Sequence, residues 1–138
     1  MRDLIDVVCE GSVPAIADSL TKLIEANGLQ VFLRLDHAAN AESVGMELRP
    51  TVLLVFGHPK GGTPLMQDKQ TAGLDLPFKL LVWEDARSKT WITYADPESL
   101  IARHGLSPAS TQTIERIKAG VARMARAAAS NAGAQVRS

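Results

Sequence analysis

With 138 residues, 46% of them apolar and 22% charged, the chain has the makeup of one ordinary globular domain, able to bury roughly two-thirds of its unfolded surface. Basic and acidic residues balance at 15 each, which removes any global pull toward nucleic acid or a membrane, and neither is expected as a partner. No run approaches the ~18 apolar residues of a membrane span, and the N-terminal MRDLIDVVCEG carries acids inside its apolar stretch, unlike a signal peptide, so a soluble, cytoplasmic protein is expected.

Leu4 to Cys9 alternates, with Ile5, Val7 and Cys9 on one side, which predicts a first strand with one face on a core. Cys9 is the single cysteine; it excludes an intrachain disulfide and reads as a small buried hydrophobe. Ser12 and Pro14 form a helix-start signal, and Val13, Ile16, Ala17, Leu20, Leu23 and Ile24 recur at helical spacing until Asn27-Gly28 ends the helix. Gln30 to Asp36 is a strand that sets Val31, Leu33 and Leu35 on one face. Ala38 to Met46 suits a short helix before Gly45. Thr51 to Phe56 is apolar without alternation, the pattern of a central strand covered on both faces. Gly57 to Pro77 is a long connection with a helical turn at Thr63 to Lys69.

Leu80 to Trp83 and Trp91 to Tyr94 are strands of a hairpin around the polar stretch Glu84 to Lys89. Asp96-Pro97-Glu98 opens a short helix that ends near His104-Gly105. Ser107-Pro108 or Ser110 starts the last helix. Its Ile114, Ile117, Val121, Met124 and Ala128 share one stripe, and Arg116, Arg123 and Arg126 project from the other side as a solvated face. The pattern is lost beyond Ala129, so residues 131–138 are expected to fray from a single domain spanning 1–130. The order β-α-β-β-β-β-α predicts an α+β domain, a mostly antiparallel sheet with helices packed on one face.

No catalytic signature is present, and no cofactor is implied. The loop Gly57-His58-Pro59-Lys60-Gly61-Gly62-Thr63 has the composition of an anion site: glycines let amides converge, Lys60 supplies charge and Thr63 a hydroxyl. Its spacing is not that of a nucleotide-binding P-loop, and a tight structural turn is the competing explanation. His37, His58 and His104 lack metal-ligand spacing, and no metal site is assigned. Asp36-His37, or His58, could transfer a proton. Lys79 could join Lys60 beside an acidic ligand. Trp83, Trp91 and Tyr94 read as core or interface packing. Three functions therefore compete: binding of a small anionic ligand by the 57–63 loop in a homodimer, an enzyme using Asp36/His37 or His58, and a homodimeric interaction module with no small ligand.

The residues from Val55 to Met66, together with Gly73-Leu74-Asp75-Leu76-Pro77, Leu81-Val82-Trp83-Glu84-Asp85, Tyr94, Arg103-His104-Gly105 and the earlier Asp36-His37-Ala38, resemble the family of the domain of unknown function 302. The resemblance runs in order from about Ser12 to Gly105, and His58 departs from it where asparagine is usual. It implies a TATA-binding-protein-like arrangement of a strand, a helix, four strands and a helix, and association as dimers. It implies no activity.

Overall fold

The computed structural model describes residues 3–137, with side chains described from 3 to 130. Strands β1 (Leu4–Cys9), β2 (Gln30–Asp36), β3 (Thr51–Gly57), β4 (Phe78–Glu84) and β5 (Thr90–Ala95) form one sheet in the order β1-β5-β4-β3-β2. Every pairing is antiparallel. Helices α1 (Val13–Ala26), α2 (His37–Ser43), α3 (Pro59–Asp68), α4 (Ser99–His104) and α5 (Thr111–Arg137) complete the domain, with 3-10 turns at Gln70–Asp75 and Pro108–Ser110. The expected α+β architecture is the observed one. The segment 131–138, expected to fray, lies outside the residues described to the side chain.

α1 begins where Ser12 Oγ accepts the Ala15 amide at 3.3 Å, satisfying a donor that the first turn cannot pair internally. It ends at Asn27, and Gly28 follows at φ +76°, a conformation that a β-carbon disfavours. Its apolar stripe, Ile16, Leu20 and Ile24, packs with Leu54, Leu80, Val82 and Ile92 of the sheet and with Val121, Met124, Ala125 and Ala128 of α5. Each fully buried Leu or Ile in this layer contributes about 2 kcal/mol through removal from water. Cys9 belongs to the same core, and burial pushes its thiol up to about 11, which makes it a poor nucleophile. A second cluster, Leu65, Ala72, Leu100, Leu106 and Ile114, seats α3 and α4 beside α5.

Two expectations are corrected. β3 lies between β2 and β4 but is second from the edge, and helices cover one of its faces; Val52, Leu54 and Phe56 are buried while Thr51, Leu53 and Val55 are half-buried. An unbroken apolar run suggested cover on both sides. Among the described residues, the second face instead carries apolar side chains such as Leu53 and Leu81 with no helix over them. In β2 the alternation breaks, because Val31 pairs with Phe56 and Leu33 with Val55, leaving Phe32 as an extra residue. This bulge puts Val31 on the helix-covered face and turns Leu33 and Leu35 to the open one.

The hairpin between β4 and β5 forms as expected around Asp85, whose Oδ1 accepts the Arg87 and Lys89 amides at 2.8 and 2.9 Å. Its Oδ2 accepts from Trp91 Nε1 at 2.9 Å. That indole bond, with the turn amides, holds the Asp85 carboxyl below its ordinary value. Trp91 stacks on Trp83 with ring centres 6.5 Å apart, and Trp83 Nε1 donates to Thr93 Oγ1 at 2.8 Å. Both indoles lie on the face of the sheet opposite Val82 and Ile92.

Candidate ligand-binding cleft

β3 ends at Gly57, and His58 follows in extended backbone before α3. The imidazole acts as the helix cap: its Nδ1 accepts the Lys60 amide at 3.0 Å. The His58 carbonyl accepts the Gly61 and Gly62 amides at 2.9 and 3.2 Å. Asparagine does the same work at a helix start, because its side chain also places an acceptor one short reach from first-turn amides. The substitution thus keeps the cap. The expected cradle of free amides is not present here, since these three donors are engaged within the turn. Thr63 falls inside α3 and is exposed.

A cavity of about 720 Å³ opens at this end of β3, a size within the ~300–1,000 Å³ of small-molecule sites. The start of α3 forms one wall, with His58, Pro59, Lys60, Gly61, Gly62 and Thr63. Asn27, Gly28 and Leu29 after α1 form another, and Arg116, Ile117, Gly120, Val121, Arg123 and Met124 of α5 a third. Phe32, Phe56, Phe78, Met66, Leu76 and Pro77 supply apolar surface. The bulge in β2 explains Phe32: a Cβ added to Gly57 would lie 3.7 Å from its ring, so the extra residue is aimed at the end of β3. Gly62 and Gly73 keep the walls thin, since added Cβ atoms there would meet Leu76 at 3.4 Å and Met66 Sδ at 3.1 Å.

The charge of the lining has one sign. Lys60, Arg116 and Arg123 contribute cations, and among the described residues no Asp or Glu lines the cavity. All three are exposed, and among the described residues none pairs with an acid. Arg116, Gly120 and Arg123 are four and three residues apart on α5 and share one helix face. The Arg123 guanidinium reaches over Gly120, its Nη2 3.8 Å from where a Cβ at 120 would sit. Sequence periodicity assigned both arginines to a solvated face. The helical wheel separates them from the buried stripe but cannot tell open solvent from a cleft at the flank of that stripe.

The other candidates lie elsewhere. Asp36 caps α2, its Oδ1 accepting the Ala39 amide at 2.9 Å, and it pairs with Val52 at the opposite end of β3. His37 is the first residue of α2 and does not line the cleft. Lys79 pairs with Val55 on the open face of the sheet, away from Lys60.

A histidine with converging polar partners does occur, at a place no spacing in the sequence indicated. His104 Nε2 is 2.6 Å from Asp75 Oδ2 and its Nδ1 is 3.0 Å from Thr71 Oγ1. Asp75 Oδ1 also accepts from Arg103 at 2.9 Å. The His104 side chain is 5% exposed, and neither it nor Asp75 lines the cleft. Both ring nitrogens are occupied by neighbours, so the cluster fastens the 3-10 turn at 70–75 to α4. Nearby, Asp68 Oδ2 accepts from Ser110 Oγ at 2.6 Å, the Ser107 amide at 2.8 Å and Ser107 Oγ at 3.0 Å. These bonds, the Ser110 hydroxyl foremost, hold the Asp68 carboxyl below its ordinary value of 3.8.

Comparison with known proteins bears on the fold more than on the cleft. The family model described as "Domain of unknown function DUF302" matches residues 5–124. The crystal structure of an uncharacterized conserved DUF302 protein from Bacillus stearothermophilus superposes with a TM-score of 0.81, covering 91% of this chain and 98% of that one at 18% identity. Proteins of Brucella suis and Brucella melitensis named fluoride-specific ion channels FluC 1 and FluC 2 are each 40% identical over 126 residues, 91% of this chain. The chain spans about half the length of these relatives, 50% and 47%. Among the described residues no helix is long and apolar enough to cross a membrane.

Proposed function

This chain belongs to the family of the domain of unknown function DUF302, and from that membership, which brings a fold and no chemistry, we propose that it binds a small anionic ligand in the cleft at the end of β3. The observation that carries the reading is the charge of the lining, in which Lys60, Arg116 and Arg123 face no acidic residue. Three cations around one concavity repel one another, and an anion between them removes that repulsion while gaining charge-assisted hydrogen bonds. The place of Lys60 in the lining supports this reading, whereas the amides of residues 60–62 are already bonded within the turn. Proton transfer is less well supported, because His58 is engaged as a cap and Asp36 as another.

Fluoride, suggested by the name of the Brucella relatives, fits the cleft poorly. A small, strongly hydrated anion needs a close shell of donors, and the amides of residues 60–62 able to supply one are already bonded. A thermal-shift screen of carboxylates and phosphate esters tests the proposal, since a ligand bound by the folded state alone raises the melting temperature. A hit should lose its shift in Lys60→Ala combined with Arg116→Ala and Arg123→Ala. A shift that survives the triple change would overturn the reading.

A homodimer through the open face of the sheet is a second reading, favoured by a separate observation. Leu33, Leu53, Val55, Leu81, Trp83 and Trp91 share that face, and among the described residues no helix packs on it. A stable interface through this face needs to bury more than ~1,000 Å² in total. Sedimentation equilibrium should give a dimer that Trp91→Glu splits, and a wild-type protein monomeric at high micromolar concentration would count against this reading.

A further inference from the structure

The cleft contains more than charge. Its interior is formed by Phe56, Phe78, Met66 and Met124, of which Phe56 and Met124 are buried in the core, while Phe32, itself exposed, stands with Lys60, Arg116 and Arg123 at its rim. A simple inorganic anion would use the rim and leave the interior wet. Methionine and phenylalanine together give a wall that adapts to an apolar body.

Gly120 adds a second observation. It lies in the interior of α5, between Arg116 and Arg123, where glycine weakens a helix relative to alanine. Packing does not require it: an added Cβ would meet nothing nearer than Arg123 Nη2 at 3.8 Å. What the missing side chain provides is room in the cleft wall directly under a guanidinium.

We infer that the cleft takes amphipathic organic anions, an acyl chain ended by one carboxylate, with the carboxylate at Arg123 and Arg116 and the chain crossing Gly120 toward Phe32, Phe56 and Phe78. This rests on the anion-binding reading above and adds to it the apolar body. A bidentate guanidinium matches a carboxylate. The bulge that aims Phe32 at the end of β3 then has a use, because it completes an aromatic lining that a regular strand would leave open.

The test is calorimetric titration of the full chain with octanoate and decanoate below their micelle-forming concentrations, with acetate, and with 1-decanol. Decanoate should bind about tenfold tighter than octanoate, as two more buried methylenes require, and far tighter than acetate or decanol. Arg123→Gln should weaken decanoate at least about tenfold, the loss of one charged hydrogen-bonding partner. Gly120→Leu should abolish binding, and Gly120→Ala, which is expected to fold at least as well as wild type, should weaken it in proportion to chain length.

Acetate binding as tightly as decanoate, lost in Lys60→Ala, would leave the anion site standing and overturn the apolar body. Decanol binding as tightly as decanoate would overturn both, as would no binding by any probe. Vesicles of phosphatidylglycerol, run in parallel, separate a free acid from a lipid headgroup: retention on vesicles without decanoate binding would overturn the inference.

Discussion

The cations around the cleft and the polar cluster behind it use similar side chains and differ in how they are partnered. Arg103, Asp75, His104 and Thr71 close on one another at 2.6 to 3.0 Å, and Asp68 is surrounded by three donors. Lys60, Arg116 and Arg123 have no acidic partner among the described residues. A closed set of polar groups stabilises the fold and has nothing left for a ligand. An open set of like charges does little for the fold and keeps its capacity to bind.

Substitutions can break that comparison. The largest effect is expected at His104, where His104→Ala leaves Asp75 and Thr71 without a shared partner at a site 5% exposed and should cost about 2–3 kcal/mol in urea denaturation. If the loss is negligible, the cluster is not the fastening described. A smaller loss is expected on acidification through Asp68. Its carboxyl is lowered on folding, so its contribution is present above the ordinary carboxylate value and disappears as pH falls through the lowered one. Denaturation midpoints measured down the acid limb should fall less in Asp68→Asn, which has no such proton to take up.

Ser19 sharpens the contrast from within the core. It is fully buried in α1, and its Oγ has no hydrogen-bond partner, so Ser19→Ala should raise stability by about 1 kcal/mol. The smallest effect belongs to the cleft: Lys60→Ala, Arg116→Ala and Arg123→Ala should each change stability by no more than about 0.5 kcal/mol while reducing the ligand-induced shift that the triple change removes. A large destabilisation by any of them would make it part of the closed set.

Local signals in the sequence carried most of the fold. Ser12, Gly28, Gly45 and the Asp85 turn act within a few residues of themselves, and their elements appear where those residues ask for them. The bulge at Phe32 was hidden, because Gln30 to Asp36 alternates equally well with or without an inserted residue; its partner strand decides. The cleft was half legible. Lys60 and its glycines mark its mouth, but the engagement of their amides depends on the histidine rotamer at position 58. Arg116 and Arg123 come from more than fifty residues further along, and His104 meets Asp75 across a separation of 29. Contacts of that range leave no trace in periodicity.

The bulge in β2 also governs how copies of this chain can meet. β2 is a border strand of the sheet, and a smooth border offers its unpaired backbone groups to the next molecule, which is how sheets lengthen into polymers. An extra residue in mid-strand throws that row of donors and acceptors out of step. Growth by strand addition on this side is thereby disfavoured, and the border stays a poor template for a further strand.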